Sequence, residues 1–227
     1  MRKLFLLLTI YFLLSTPVFA QSVDILWQGE TYAPPFYEGK ALWSKQSLIR
    51  FVAIPQGFGD PAALNYRWVR NGTVLGGASG IGKDTIKFRD TLFSKPYTLK
   101  VEIINQLDET LAESTISMAA RDPELLVYEK NPLYGYMFHR QVDKTYRLNK
   151  EEVTFSAFPL YADSTEREAT ALSYKWRTGT DTWIGNSVTY RAPEKAQGYV
   201  PVIISFSDSS KVMREITRDF IIQFGDE

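Results

Sequence analysis

The sequence predicts an all-β protein: two antiparallel β-sandwiches in tandem, behind an N-terminal signal peptide. Three observations lead there. The chain repeats itself after about a hundred residues. Within each copy, apolar and polar side chains alternate with period two. Glycine-rich turn signals separate short apolar runs, and no sustained 3.6-residue apolar stripe follows the leader.

The leader comes first. Arg2 and Lys3 supply a positive start, Leu4 to Leu14 is an uncharged apolar run, and Val18-Phe19-Ala20 places small residues at both ends of a cleavage site. Residues 1–20 are therefore expected to be a signal peptide, removed before Gln21. The run is shorter than the roughly 20 apolar residues of a membrane span. No second long apolar stretch follows, so no span is expected in the mature chain. The remainder divides near Asp122-Pro123 into expected domains 21–121 and 122–227. The linker is short and not Gly/Ser-rich, which predicts a stiff end-to-end pair.

The repeat is carried by particular residues. Leu64-Asn65-Tyr66-Arg67-Trp68 matches Leu172-Ser173-Tyr174-Lys175-Trp176, both reading L-x-Y-basic-W. Upstream, Phe51-Val52-Ala53-Ile54-Pro55 matches Phe155-Ser156-Ala157-Phe158-Pro159. Downstream, Tyr97 to Ile103 matches Val200 to Phe206 in pattern. Inside each copy Tyr66 and Trp68 share one face of a strand, and Leu99, Val101 and Ile103 share another. That alternation marks half-buried antiparallel strands. Asn71-Gly72, Gly76-Gly77 and Gly80-Ile81-Gly82 punctuate the first copy; Gly179, Gly185-Asn186 and Gly198 punctuate the second.

On these residues the chain resembles known domains. Tyr66-Arg67-Trp68-Val69-Arg70-Asn71-Gly72-Thr73-Val74-Leu75 resembles the Y-x-W-x-x-N-G-x-x-L stretch of immunoglobulin-like domains, whose tryptophan packs across the core from the third strand. Tyr97-Thr98-Leu99-Lys100-Val101 resembles the Y-x-L-x-V strand of immunoglobulin-like and polycystic-kidney-disease-type (PKD-like) domains. That resemblance implies a tyrosine-corner hydrogen bond near the start of strand F. Trp176 and Tyr199 take the corresponding places in the second copy, so Trp68, Tyr97, Trp176 and Tyr199 are expected core residues. The W-D-F-G-D-G motif of PKD repeats and the inter-sheet cysteine pair of antibody domains are absent. The whole is similar to exported bacterial proteins with tandem immunoglobulin-like repeats, and the resemblance implies adhesion, surface architecture or appendage assembly.

Composition narrows the function. Cations and anions balance at 26 each, and losing Arg2 and Lys3 with the leader leaves a small acidic excess, against nucleic-acid binding. There are no cysteines, so export comes without disulfides, which together with the plain leader points to a bacterial envelope. The one histidine, His139, has no nucleophile elbow to serve. Zinc lacks its usual ligands. Asp122, Glu124, Asp163, Glu166 and Asp208 form no calcium-loop motif. Glu151-Glu152 and Glu166/Glu168 read as solvated surface rather than a glycosidase pair. No enzyme, metal or cofactor is expected.

Two aromatic-proline clusters are the contact candidates: Tyr32, Phe36 and Tyr37 in the first copy, Tyr134 and Tyr136 in the second. Exposed rings stack on sugars or anchor a protein partner. The plainer account, which takes precedence, has the prolines break the first strand at equivalent places in both copies while the rings cover each core. The expected function is a non-catalytic extracytoplasmic interaction or scaffold protein. It would bind another envelope protein through strand edges or end loops, in the periplasm, at the cell surface or outside the cell; a glycan is the alternative partner.

Overall fold

The computed structural model describes residues 20–192, 197–212 and 215–225. The expected leader, Ala20 apart, lies outside the described residues. The first half of the chain forms β1 (Ser22–Gly29), β2 (Leu48–Gln56), β3 (Asn65–Arg70), β4 (Thr73–Val74), β5 (Gly80–Ile81), β6 (Thr85–Arg89), β7 (Tyr97–Ile104) and β8 (Thr110–Met118). The second half forms β9 (Glu124–Asn131), β10 (Gly135–Gln141), β11 (Thr145–Leu148), β12 (Glu152–Leu160), β13 (Leu172–Thr178), β14 (Asp181–Ile184), β15 (Ser187–Arg191), β16 (Gly198–Asp208) and β17 (Ile216–Phe224).

The duplication is visible in the strand order. The sheet β1-β2-β6 matches β9-β12-β15, and β4-β3-β7-β8 matches β14-β13-β16-β17, strand for strand. The second half adds β10 beside β9 and β11 beside β17; in the first half β5 pairs with β3 off the main path. The pairs β3–β7, β7–β8, β9–β12, β13–β16 and β16–β17 are antiparallel, while β11 runs parallel to β17. Among the described residues each sheet draws its strands from one half only. The chain is two tandem immunoglobulin-like antiparallel β-sandwiches.

By packing, the chain forms two compact units that interleave in sequence. Of the described residues, one comprises those up to Leu26, Phe51–Ile86 and Tyr97–Met118; the other comprises Trp27–Arg50, Lys87–Pro96 and those from Ala119 onward. The first unit buries Phe51, Ala53 and Ile86 from one sheet and Tyr66, Trp68, Leu99, Val101 and Ile103 from the other. The second unit has a continuous core in which Val127, Phe155 and Val188 of one sheet meet Trp176, Ile204 and Phe220 of the other.

The two tryptophans have matching environments. Trp68 lies opposite Val101 and Trp176 opposite Ile204. Both indoles are fully buried, and each N–H donates to a backbone carbonyl at 2.8 Å, Lys83 for Trp68 and Gly185 for Trp176. The preceding tyrosines also agree. Tyr66 donates its hydroxyl to the Pro61 carbonyl at 3.0 Å, and Tyr174 to that of Arg167 at 2.9 Å. A buried hydroxyl needs such a partner. Both strands β3 and β13 thus carry a tyrosine whose hydroxyl returns to the backbone. Tyr97 is buried at the start of β7 with the Arg70 guanidinium 4.1 Å from its ring centre.

Tyr199 corrects the sequence reading. It is 75% exposed rather than in the core. With Val101 and Ile204 equivalent in register, Tyr97 corresponds to Val200. A one-residue slip in a strand moves a side chain to the opposite face, and Tyr199 stands on the outside.

Candidate functional site

In the larger unit the structure brings the two aromatic clusters to one place. After β1 the chain turns through Gly29, whose N–H donates to the Ala41 carbonyl at 2.7 Å; a Cβ at Gly29 would lie 2.6 Å from the Leu42 oxygen. Tyr32 N–H donates to the Ala162 carbonyl at 2.9 Å, and Tyr37 N–H closes a turn on Pro34 at 2.9 Å. These bonds place Phe36 with its ring centre 4.1 Å from Phe138, 5.0 Å from Tyr128 and 5.8 Å from Phe158. Tyr136 stacks on Phe138 at 5.4 Å and meets Phe158 edge-on at 5.2 Å. The rings of segments 32–37 and 136–138 therefore pack on each other. They do not cover separate cores at equivalent places.

The arrangement has a physical cause in β12. Phe155 and Ala157 face the inner core, while Phe158 and Leu160 are also buried, so the strand is covered on both sides. Tyr128 on β9 and Phe158 on β12 present the outer face that Phe36 covers. Arg167 caps this cluster. Its guanidinium lies 4.5 Å from the Phe158 ring centre and 5.4 Å from that of Tyr136, donates to the Tyr136 hydroxyl at 3.1 Å, and pairs with Glu168 at 3.0 Å. A cation over ring faces gains from their quadrupoles. Burial pushes the Tyr32 phenol above its ordinary value.

The five contact candidates thus divide. Tyr32 is buried in the core, and Phe36, Tyr37 and Tyr136 are half-buried. Tyr37 donates to the Lys40 carbonyl at 3.2 Å. Tyr134 alone stands clear, at 77% exposure, beside Leu133 at 86%. These two occupy the tip of the β9–β10 hairpin. The Asn131 side-chain oxygen accepts from the backbone N–H of Leu133 at 2.9 Å and of Tyr134 at 3.2 Å. Gly135 follows with φ +74°, a conformation that favours glycine. The tip is therefore held by its own side chain, as Asx turns are. His139 is exposed on β10.

A polar cluster at residues 44, 47, 161 and 211 had no sequence signal. The Lys211 ammonium donates to Ser44 Oγ at 2.9 Å and Ser47 Oγ at 2.8 Å, and Ser44 donates to the Tyr161 carbonyl at 2.8 Å. Burial lowers the Lys211 pKa below its ordinary value, against the upward pull of Asp163 and Asp208. A serine beside a lysine of lowered pKa is the pairing of serine–lysine hydrolases. Here Ser44 is 1% and Ser47 0% exposed, so no substrate carbonyl reaches either hydroxyl. Beside the cluster two residues lie in left-handed backbone, Gln46 at φ +66° between the two serines, and Tyr161 at +63°, whose carbonyl accepts from Ser44. Among the described residues no group of three acidic or histidine side chains is placed to hold a metal ion, and no helix is long and apolar enough to cross a membrane.

Comparison with known proteins adds two likenesses. No family model matches the chain, and no curated protein matches it. Among solved structures, the fibronectin(III)-like modules of Clostridium thermocellum CbhA are 9% identical, covering 89% of this chain and 94% of that one, with a TM-score of 0.30. The central fibronectin-III array of RIM-binding protein is 11% identical, covering 79% and 65%, with a TM-score of 0.25.

Proposed function

We propose that this is an exported, non-catalytic interaction protein that engages a protein partner of the bacterial envelope through the Asn131–Gly135 hairpin tip. The leader read in residues 1–20 supports export, in the periplasm or beyond. The duplicated halves 21–121 and 122–227 are proposed as its two domains, which the confinement of each sheet to one half supports. The observation that carries the contact reading is the pair Leu133 and Tyr134, apolar, adjacent and open on a turn ordered in advance. Large apolar side chains that nothing covers are where partners anchor. A turn that is already rigid loses little entropy on binding. The glycan alternative, through Tyr32, Phe36, Tyr37, Tyr134 and Tyr136, loses support because all of these rings but Tyr134 are buried or engaged with other rings or the backbone.

The test is affinity capture from the native envelope with the mature protein and with a Leu133→Ser, Tyr134→Ser variant. One stoichiometric protein is expected with the first and its loss with the second, at unchanged melting temperature. Full binding by the variant would remove the hairpin tip from the contact.

A further inference from the structure

The misplacement of Tyr199 uncovers a second surface. Strands β16, β17 and β11 carry two outward rows, fixed by register. Tyr199 lies opposite Gln223, with Arg147 next on β11; Pro201 lies opposite Ile221, with Thr145 next. The alternate positions Tyr146, Leu148, Phe220 and Ile222 are buried, so these rows form the outer face. Along them runs a groove of about 420 Å3 lined by Thr145, Gln197, Tyr199, Ile221 and Gln223 among others, and among the described residues no charged side chain lines it. Gly198 at its rim has φ +115° and open space where a Cβ would stand.

We propose that this groove binds a neutral saccharide. Its volume is that of a small-molecule site, within the usual few hundred Å3. Tyr199, largely exposed, offers a ring face for the apolar side of a pyranose, with Ile221 extending the apolar floor. Gln197, Gln223 and Thr145 each carry donor and acceptor capacity without charge. Sugar hydroxyls also donate and accept, so the three side chains match them in kind. Among the described residues of the groove a charged ligand meets no opposite charge; Arg147 flanks the row beyond Gln223 and serves as the control for that alternative. The site is separate from the hairpin tip and does not depend on it.

The experiment is calorimetric titration of the mature protein with short neutral oligosaccharides of glucose, galactose, mannose and xylose, and with a uronic-acid oligosaccharide. Binding of one neutral series is expected. Tyr199→Ala should weaken it roughly tenfold, about the worth of one stacking contact, and Gln223→Ala severalfold. Arg147→Gln and Tyr134→Ala should leave it intact. Tyr199 is exposed, so its variant keeps the wild-type melting temperature, which separates lost binding from lost folding. The proposal is overturned if no neutral oligosaccharide binds, if Tyr199→Ala binds as well as wild type, or if only the uronate binds and Arg147→Gln abolishes it.

Discussion

Lys211→Met should cost less stability than Ser47→Ala, although it removes the larger and charged group. In wild type the ammonium has two hydroxyl partners, at 2.9 and 2.8 Å, in a site closed to solvent. Ser47→Ala leaves that buried cation with Ser44 alone, and losing a hydrogen bond to a buried charge costs about 1.5–3 kcal/mol. Lys211→Met removes the cation itself together with its desolvation cost. Ser44 still donates to Tyr161, and the two serine hydroxyls lie 3.0 Å apart and pair with each other. Replacing a buried ion by an apolar side chain of similar length is close to neutral, within about 1 kcal/mol. The two variants also differ in pH response. Burial, as the main cause, sets the folded pKa of Lys211 below the ordinary 10.5; Asp163 and Asp208 raise it in part, and Arg89 lowers it further. Below the folded value both states hold the proton and pH has no effect. Between that value and 10.5 only the unfolded chain holds it, so wild-type stability relative to Lys211→Met rises with pH. Urea unfolding of the three proteins at about pH 7 and about pH 10 measures both effects. A Lys211→Met cost above that of Ser47→Ala, or a difference that falls as pH rises, would refute this balance of desolvation against hydrogen bonding at Lys211.

Three more outcomes are expected. Trp68→Phe and Trp176→Phe should each cost about 2–4 kcal/mol by denaturant unfolding, since each removes the indole hydrogen bond and leaves a gap in the core; a cost in only one would break the equivalence of the two sites. Glu102 is buried, which by itself raises its pKa, but Lys100 and Arg67 hydrogen-bond its carboxylate and bring the pKa below the ordinary 4.5. The stability it contributes is therefore full above 4.5 and lost as pH falls through the folded value, and Glu102→Gln should flatten the acid limb of a melting-temperature profile. Phe36→Ala should cost about 2–3 kcal/mol, less than a fully buried phenylalanine, and should speed hydrogen exchange at the Tyr32 amide, which is bonded to Ala162.

What the sequence made legible follows from how far apart the cooperating residues lie. The L-x-Y-x-W repeat holds two inward residues at a fixed spacing on one strand, so the duplicated cores could be read locally. Matching tyrosine to tyrosine puts Tyr199 in the core, one residue out of register. The alternation Val200, Val202, Ile204, Phe206 already placed position 199 on the outer face. The meeting of Phe36 with Phe138 joins segments about a hundred residues apart, and no local pattern shows it. A trace was present, because Phe155 to Tyr161 loses its alternation, as a strand covered on both faces does. Lys211 and the serines at 44 and 47 left no trace, since single residues far apart carry no periodicity.

The covering of β12 from both sides bears on how this protein can be dissected. A fragment beginning at Asp122 would keep every strand from β9 to β17 and still differ from the same residues in the intact chain. Tyr128, Phe138 and Phe158 would lose the ring that sits on them, leaving an oily wall in contact with water. Such a piece would stick to itself, and its self-association would be an artefact of where it was cut.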